Sequence, residues 1–171
     1  MNKKLTVTLV IVALALAVWG IRVYKVNVGV AKTYAIKTYH KNDSIPIDYA
    51  NVRVKQVSEG ALQKAGSYKY IPVSVTLQVH NKSTQTLSVI KLIESQLAYG
   101  LDVYQTNQGK FDASQLQHLA PNTSTQLTMV FQVKPDDKGK TAKLYFSQDL
   151  YPQLIKDNFK MGKRYGIAVQ L

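Results

Sequence analysis

Two hydrophobic rhythms divide this chain. In LTVTLVIVALALAVWGIR, Leu5 to Arg22, nearly every position is apolar until the arginine ends the run. Beyond it the apolar residues fall at every second position, the period of a half-buried strand. Tyr68 to Asn81 shows this most clearly. Ile71, Val73, Val75, Leu77 and Val79 form one face, and Tyr70, Pro72, Ser74, Thr76, Gln78 and His80 the other. Pro72 has no N–H to give a neighbouring strand, so it belongs near the strand's start or where no donor is needed.

The same alternation recurs along the chain. Ile47 to Val57 reads as a strand, with Val52 and Val54 opposite Arg53 and Lys55, and Val57 breaks the pattern as a bulge does. Leu87–Ile93, Leu97–Tyr104, Leu127–Val133, Ala142–Phe146 and Tyr165–Leu171 read as further strands, with a first edge strand near Tyr34–Tyr39. Turn chemistry marks Asn42–Pro46, Glu59–Ser67, Asn81–Thr86, Thr106–Gly109, Ala120–Thr123 and Lys134–Gly139. One helical turn fits within Phe111–Leu119, and a short helix within Tyr151–Phe159. The expected fold is an all-β, antiparallel β-sandwich of about seven to nine strands, preceded by one transmembrane helix.

The leading run sits between two functions. A removable signal peptide has an apolar core of about 7–15 residues, whereas a membrane span needs roughly 17–25. Lys3 and Lys4 supply a basic start, and Ala15-Leu16-Ala17 offers a small-x-small cleavage site. No polar segment precedes that site, and the apolar run continues through Val18, Trp19 and Ile21. A retained anchor is therefore expected, with Leu5, Val10, Leu14, Val18, Trp19 and Ile21 in the bilayer. Arg22, Tyr24 and Lys25 would stand at its interface. The alternative is a protein secreted after cleavage near Ala17. The domain boundaries follow: residues 1–22 as anchor, 23–40 as a basic juxtamembrane stalk with a possible first edge strand, and 41–171 as the sandwich.

Orientation sets two rules against each other. Arg22, Lys25, Lys32, Lys37 and Lys41 follow the span with no acid before Asp43, which favours an inside location for this segment. Long domains translocate largely regardless of charge, so a single-pass membrane protein with its C-terminal domain outside the cytoplasm is expected.

The chain has 171 residues and a formal net charge of +12. Without Lys3 and Lys4 it still carries 20 basic against 10 acidic residues. Such a surface attracts polyanions, including wall polymers and lipid headgroups. Cysteine is absent, which removes disulfides, thiolate metal sites and cysteine nucleophiles. An exported domain without disulfides suits a single-membrane bacterium.

Three segments carry a family resemblance: YHKNDSIPIDYANVRVKQV (Tyr39–Val57), VSVTLQVHNKSTQTLSV (Val73–Val89) and LAPNTSTQLTMVFQV (Leu119–Val133). Together they resemble the telokin-like, immunoglobulin-like domains of exported proteins in Gram-positive bacteria, over roughly residues 34–171. Asn122 stands where a glycine often follows the proline in that family. Asparagine tolerates the left-handed conformation, so the turn survives. The resemblance implies an immunoglobulin-like sandwich and export, and it supplies no catalytic residue.

Catalytic constellations are missing from the sequence. His40, His80 and His118 lie in different elements without metal-ligand spacing. Asp136-Asp137 lacks calcium-loop spacing and reads as a solvated turn. No nucleophile elbow, P-loop or dinucleotide fingerprint occurs. Eleven tyrosines against four phenylalanines are the remaining enrichment. Tyrosine gives rigid amphipathic contact area, so Tyr68, Lys69, Tyr70, Lys163 and Arg164 form the candidate binding surface. The expectation is a non-catalytic, membrane-anchored module without a cofactor, engaging an envelope protein or cell-surface component. A binder of anionic wall polymer or lipid headgroups is the alternative, an envelope hydrolase is third, and no nucleic acid partner is expected.

Overall fold

A computed structural model describes residues 3–31 and 33–171, with the side chain of residue 107 outside the description. The apolar run forms one helix, α1 (Lys3–Asn27), with no buried residue. Helical geometry makes it about 37 Å long, enough to cross a hydrocarbon core of roughly 30 Å. It outlasts the expected boundary at Arg22, so Val23–Asn27 is helix rather than stalk. The Asn27 amide side chain donates to the Val23 carbonyl at 2.7 Å, and Gly29 turns the chain away at φ 84°.

Ten strands follow among the described residues: β1 (Thr33–His40), β2 (Ile45–Ile47), β3 (Ala50–Glu59), β4 (Gln63–Ala65), β5 (Tyr68–Asn81), β6 (Gln96–Tyr99), β7 (Asp102–Lys110), β8 (Ser124–Val133), β9 (Lys143–Tyr145) and β10 (Lys163–Gln170). Two short helices interrupt them, α2 (Ala113–Gln117) and α3 (Pro152–Lys160). Strand order is β1-β10-β9-β6-β7-β8-β5-β3-β2, and β4 joins β5 separately. One continuous hydrogen-bonded path thus forms both layers, and β7 belongs to each. Its first half pairs with β6, and its second half pairs with β8 after a register shift between Thr106 and Gln108.

The core lies between the layers. Val73, Val75, Leu77 and Val79 of β5 meet Leu127, Met129, Phe131 and Val133 of β8 in the same buried cluster as Leu97, Leu144, Ile167 and Val169. With Ile71, the buried face of β5 contributes about 10 kcal/mol of gross stabilisation, at roughly 2 kcal/mol per side chain. Tyr151 is fully buried, its hydroxyl donating to the Phe146 carbonyl and accepting from the Ile167 N–H, both at 3.2 Å.

Several expectations change. The sheet is mixed rather than antiparallel, because β1 runs parallel to β10 from Thr33↔Lys163 to His40↔Gln170. Leu87–Ile93 is not a strand: Leu87 makes a single bridge to Leu119, and a 3-10 turn covers Ile90–Glu94. Its apolar residues fill the core end instead of alternating across a sheet. Leu97–Tyr104 is two strands, because Gly100 at φ 61° reverses the chain. Thr106–Gly109 is the bend of β7 rather than a turn, and Gln63–Ala65 is strand rather than loop. The bulge in β3 falls between Val54 and Gln56, one step before the break in alternation. Asn122 adopts the left-handed conformation at φ 57°.

Register gives the sandwich two ends. β1 and β10 start at the end next to α1. Pairing carries this polarity through β9, β6, β7, β8, β5 and β3. The near end thus holds Lys163, Ser124, Asn81 and Ala50. The far end holds Tyr99, Asp102, Val133, Ile71 and Glu59.

Candidate functional site

Asn81 shows how the near end is fixed. It is fully buried, and its amide donates to the carbonyls of Gln85, Leu119 and Ala120 at 2.7, 3.0 and 3.1 Å. Its side-chain oxygen accepts from the Ser83 N–H and hydroxyl, both at 2.8 Å. Asp48, in the β2–β3 turn at φ 40°, caps α3 from outside, accepting from the Gln153 N–H at 2.8 Å and the Leu154 N–H at 3.2 Å.

At the far end, the β4–β5 hairpin presents Tyr68, Lys69 and Tyr70. Residues two apart share a strand face, so the rings of Tyr68 and Tyr70 stack, 6.0 Å between centroids and 14° between planes. The Tyr70 hydroxyl donates to Gln63 Oε1 at 2.8 Å. The β6–β7 turn stands at the same end, with Leu101 wholly exposed and Val103 54% exposed. Lys134, after β8, reaches Asp102 at 2.6 Å.

Beneath this surface lies a polar cluster. Asp137 is buried, accepts from the Tyr104 hydroxyl at 2.6 Å and pairs with Lys140 at 2.9 Å. The Tyr104 hydroxyl also accepts from the Lys134 N–H at 3.3 Å. The Gly139 N–H donates to Glu59 at 3.3 Å, tying this loop to the end of β3. Asp137 is thus no solvated turn residue. Its carboxyl is held below the usual range by Lys140 first and Tyr104 second. Burial, then the bond to Asp137, pushes the Tyr104 phenol up. Burial pushes Tyr99 up to about 12, helped by Glu59 and Asp137. These shifts leave Asp137 ionised and both phenols protonated around neutral pH. The far end offers fixed charges, phenol hydroxyls and apolar contact area.

The expected binding residues are therefore divided. Tyr68, Lys69 and Tyr70 stand together at the far end, while Lys163 and Arg164 open β10 at the near end. Arg164 lies over the Tyr34 ring at 5.5 Å and donates to its hydroxyl at 2.9 Å. Sequence reading missed Leu101, Asp102, Tyr104, Lys134 and Asp137. The Gly100-Leu101-Asp102 run carried a turn signal, which the apparent alternation from Leu97 to Tyr104 hid. A half-open cleft of 570 Å³ on the flank includes Glu94, Gln96, Gln105, Thr106 and Tyr145. His40, His80 and His118 do not converge, and no group of three or more metal-ligating side chains occurs among the described residues.

Comparison with known proteins reaches fold and family. The family described as "Domain of unknown function (DUF4352)" matches residues 39–153. An uncharacterized β-sandwich protein from Clostridium difficile 630 is similar with a TM-score of 0.51 at 13% identity, over 82% of this chain and 98% of that one. The yjhA protein from Bacillus subtilis also has a TM-score of 0.51, at 10% identity, over 78% of this chain and 98% of that one. No curated protein matches.

Proposed function

The chain belongs to the DUF4352 family, a domain of unknown function, and on that footing we propose a membrane-anchored extracytoplasmic binding module without catalytic activity. It holds the membrane through α1 and engages another envelope protein or cell-surface component through Tyr68, Tyr70 and Leu101. One observation carries this reading: the stacked tyrosines and the exposed leucine stand at the end of the sandwich opposite α1. Aromatic and aliphatic anchors surrounded by polar groups suit a protein partner. The three motif segments further support a telokin-like, immunoglobulin-like sandwich in a Gram-positive envelope.

A second reading draws on Lys64 and Lys69, which face each other across the β4–β5 hairpin. Beside the tyrosines they suit an anionic wall polymer. Added salt weakens polymer binding steeply and binding through the apolar anchors only slightly.

The test uses intact cells carrying a C-terminal tag and a photo-crosslinking residue at position 68. External protease is expected to remove the tag, the membrane fraction to retain a chain beginning at Met1, and position 68 to give a discrete adduct. A chain beginning near Val18 in the medium makes it a secreted ligand instead. A tag protected until lysis overturns the extracytoplasmic reading.

A further inference from the structure

The near end carries a surface of its own. α1 stops at Asn27 and β1 starts at Thr33. Residues 28–32 join them, a reach of about 17 Å when fully extended. Thr33 is in register with Lys163, and the Thr33 hydroxyl donates to the Gly162 carbonyl at 3.4 Å. The turn between α3 and β10 is therefore tethered close to the point where α1 ends.

This turn combines two kinds of side chain. Phe159 is 49% exposed and Met161 62% exposed. Around them stand Lys156, Lys160, Lys163 and Arg164, with Tyr34 exposed under the Arg164 guanidinium. Asp157 is the single acid between Pro152 and Arg164, and it pairs with Lys160 at 3.5 Å. Arg22 and Lys25 add positive charge on the last turns of α1.

We propose that the α3–β10 turn docks on the anionic phospholipid headgroups of the membrane that holds α1. Phe159 and Met161 enter the interface, while Lys156, Lys160, Lys163 and Arg164 meet lipid phosphates. The inference rests on the anchor reading and adds a second, electrostatic contact to it. Three features favour lipid as the occupant. The tether leaves the turn little distance from the bilayer. The patch is cationic, as anionic headgroups require. Its apolar residues are flanked by long basic side chains that keep their charge in water while their stems lie in the interface. A fixed headgroup surface also orients the sandwich, turning the far end outward.

The absence of native cysteine allows clean single labelling. The full chain carries M161C or, as a far-end control, S67C, each bearing an environment-sensitive fluorophore. It is reconstituted in vesicles of phosphatidylcholine, alone or mixed with phosphatidylglycerol, containing a spin-labelled lipid quencher. Position 161 is expected to shift to the blue and be quenched several-fold more than position 67 in the anionic vesicles. High salt, or Lys156→Gln with Lys163→Gln, is expected to reverse this. A melting curve confirms that the double variant is folded, and Lys160→Gln alone serves in its place if it is not.

Equal quenching at 161 in both lipid mixtures overturns the headgroup contact. Equal quenching at 67 and 161 does so too. A chain that floats with the vesicles and leaves 161 in water refutes the docking alone. A chain that does not float refutes the anchor and the docking together.

Discussion

Two basic clusters at opposite ends of the sandwich, the Asp137 loop and the α3–β10 turn, use similar residues in opposite ways. At the far end Lys140 and Tyr104 are bound to the buried Asp137, and Lys134 to Asp102. At the near end Lys156 and Lys163 have no ion pair among the described residues, and Phe159 and Met161 face solvent. A charge satisfied inside the protein holds a loop in place. One left in water remains available to a partner and contributes little to stability. Local composition would have treated the two ends alike; the positions of the acids distinguish them.

Removing the fixed polar centres should break this contrast most strongly. Asn81→Ala strands three buried or half-buried carbonyls, and a loss of about 3 kcal/mol in urea unfolding is expected. Asp137→Ala unties the far-end loop and should cost about 2 kcal/mol, since the lost bonds involve an ionised group. Asp48→Ala takes away the cap of α3 and should cost about 1 kcal/mol, making the near-end turn exchange its amide hydrogens faster. The smallest stability effect, within about 0.5 kcal/mol, is expected from Leu101→Ser, as for a surface substitution. That variant should nevertheless lose the adduct formed from position 68, which would separate binding from folding.

Titration sharpens the same contrast. The Asp137 carboxyl is depressed in the folded state, so its contribution is present above the unfolded value and lost as pH falls below about 4. Tyr104 and Tyr99 are raised, so theirs is full below about pH 10 and lost as pH rises through the folded values. Melting temperature should therefore fall at both extremes. Asp137→Asn should flatten the acid limb, and Tyr104→Phe should partly flatten the alkaline limb.

The strands buried along one whole face were legible before the structure. β5 and β8 alternate without interruption, because each has the core on one side and a polar surface on the other. Leu87–Ile93 was misread as a strand because apolar residues that plug the end of a sandwich need no strand period. The Gly100 reversal was hidden because apolar residues stay at odd positions through it, although Leu97 and Tyr99 are buried while Leu101 and Val103 beyond the turn are exposed. The parallel pairing of β1 with β10 joins the first strand to the last, and local pattern contains nothing about so distant a partner. Asp137 had the composition of a turn. Its burial follows the bond from Tyr104, which only the folded chain brings to it, whereas Lys140 is a neighbour in sequence. The candidate binding residues were named singly from the sequence, but their division between two ends depends on strand direction.

The parallel pairing of β1 and β10 has a mechanical side. A far-end partner that is held while the membrane recedes would pull on the chain at Thr33, along the axis of β1. The pull enters β1 at Thr33 and is resisted from the opposite end of the sandwich, so the pairs from Thr33↔Lys163 to His40↔Gln170 bear the tension together. In an antiparallel hairpin pulled at its open end, the pairs would instead separate in succession. Resistance to such a load is set by the rate of unfolding rather than by equilibrium stability. The first strand thus joins tether to fold as a lap joint loaded in shear.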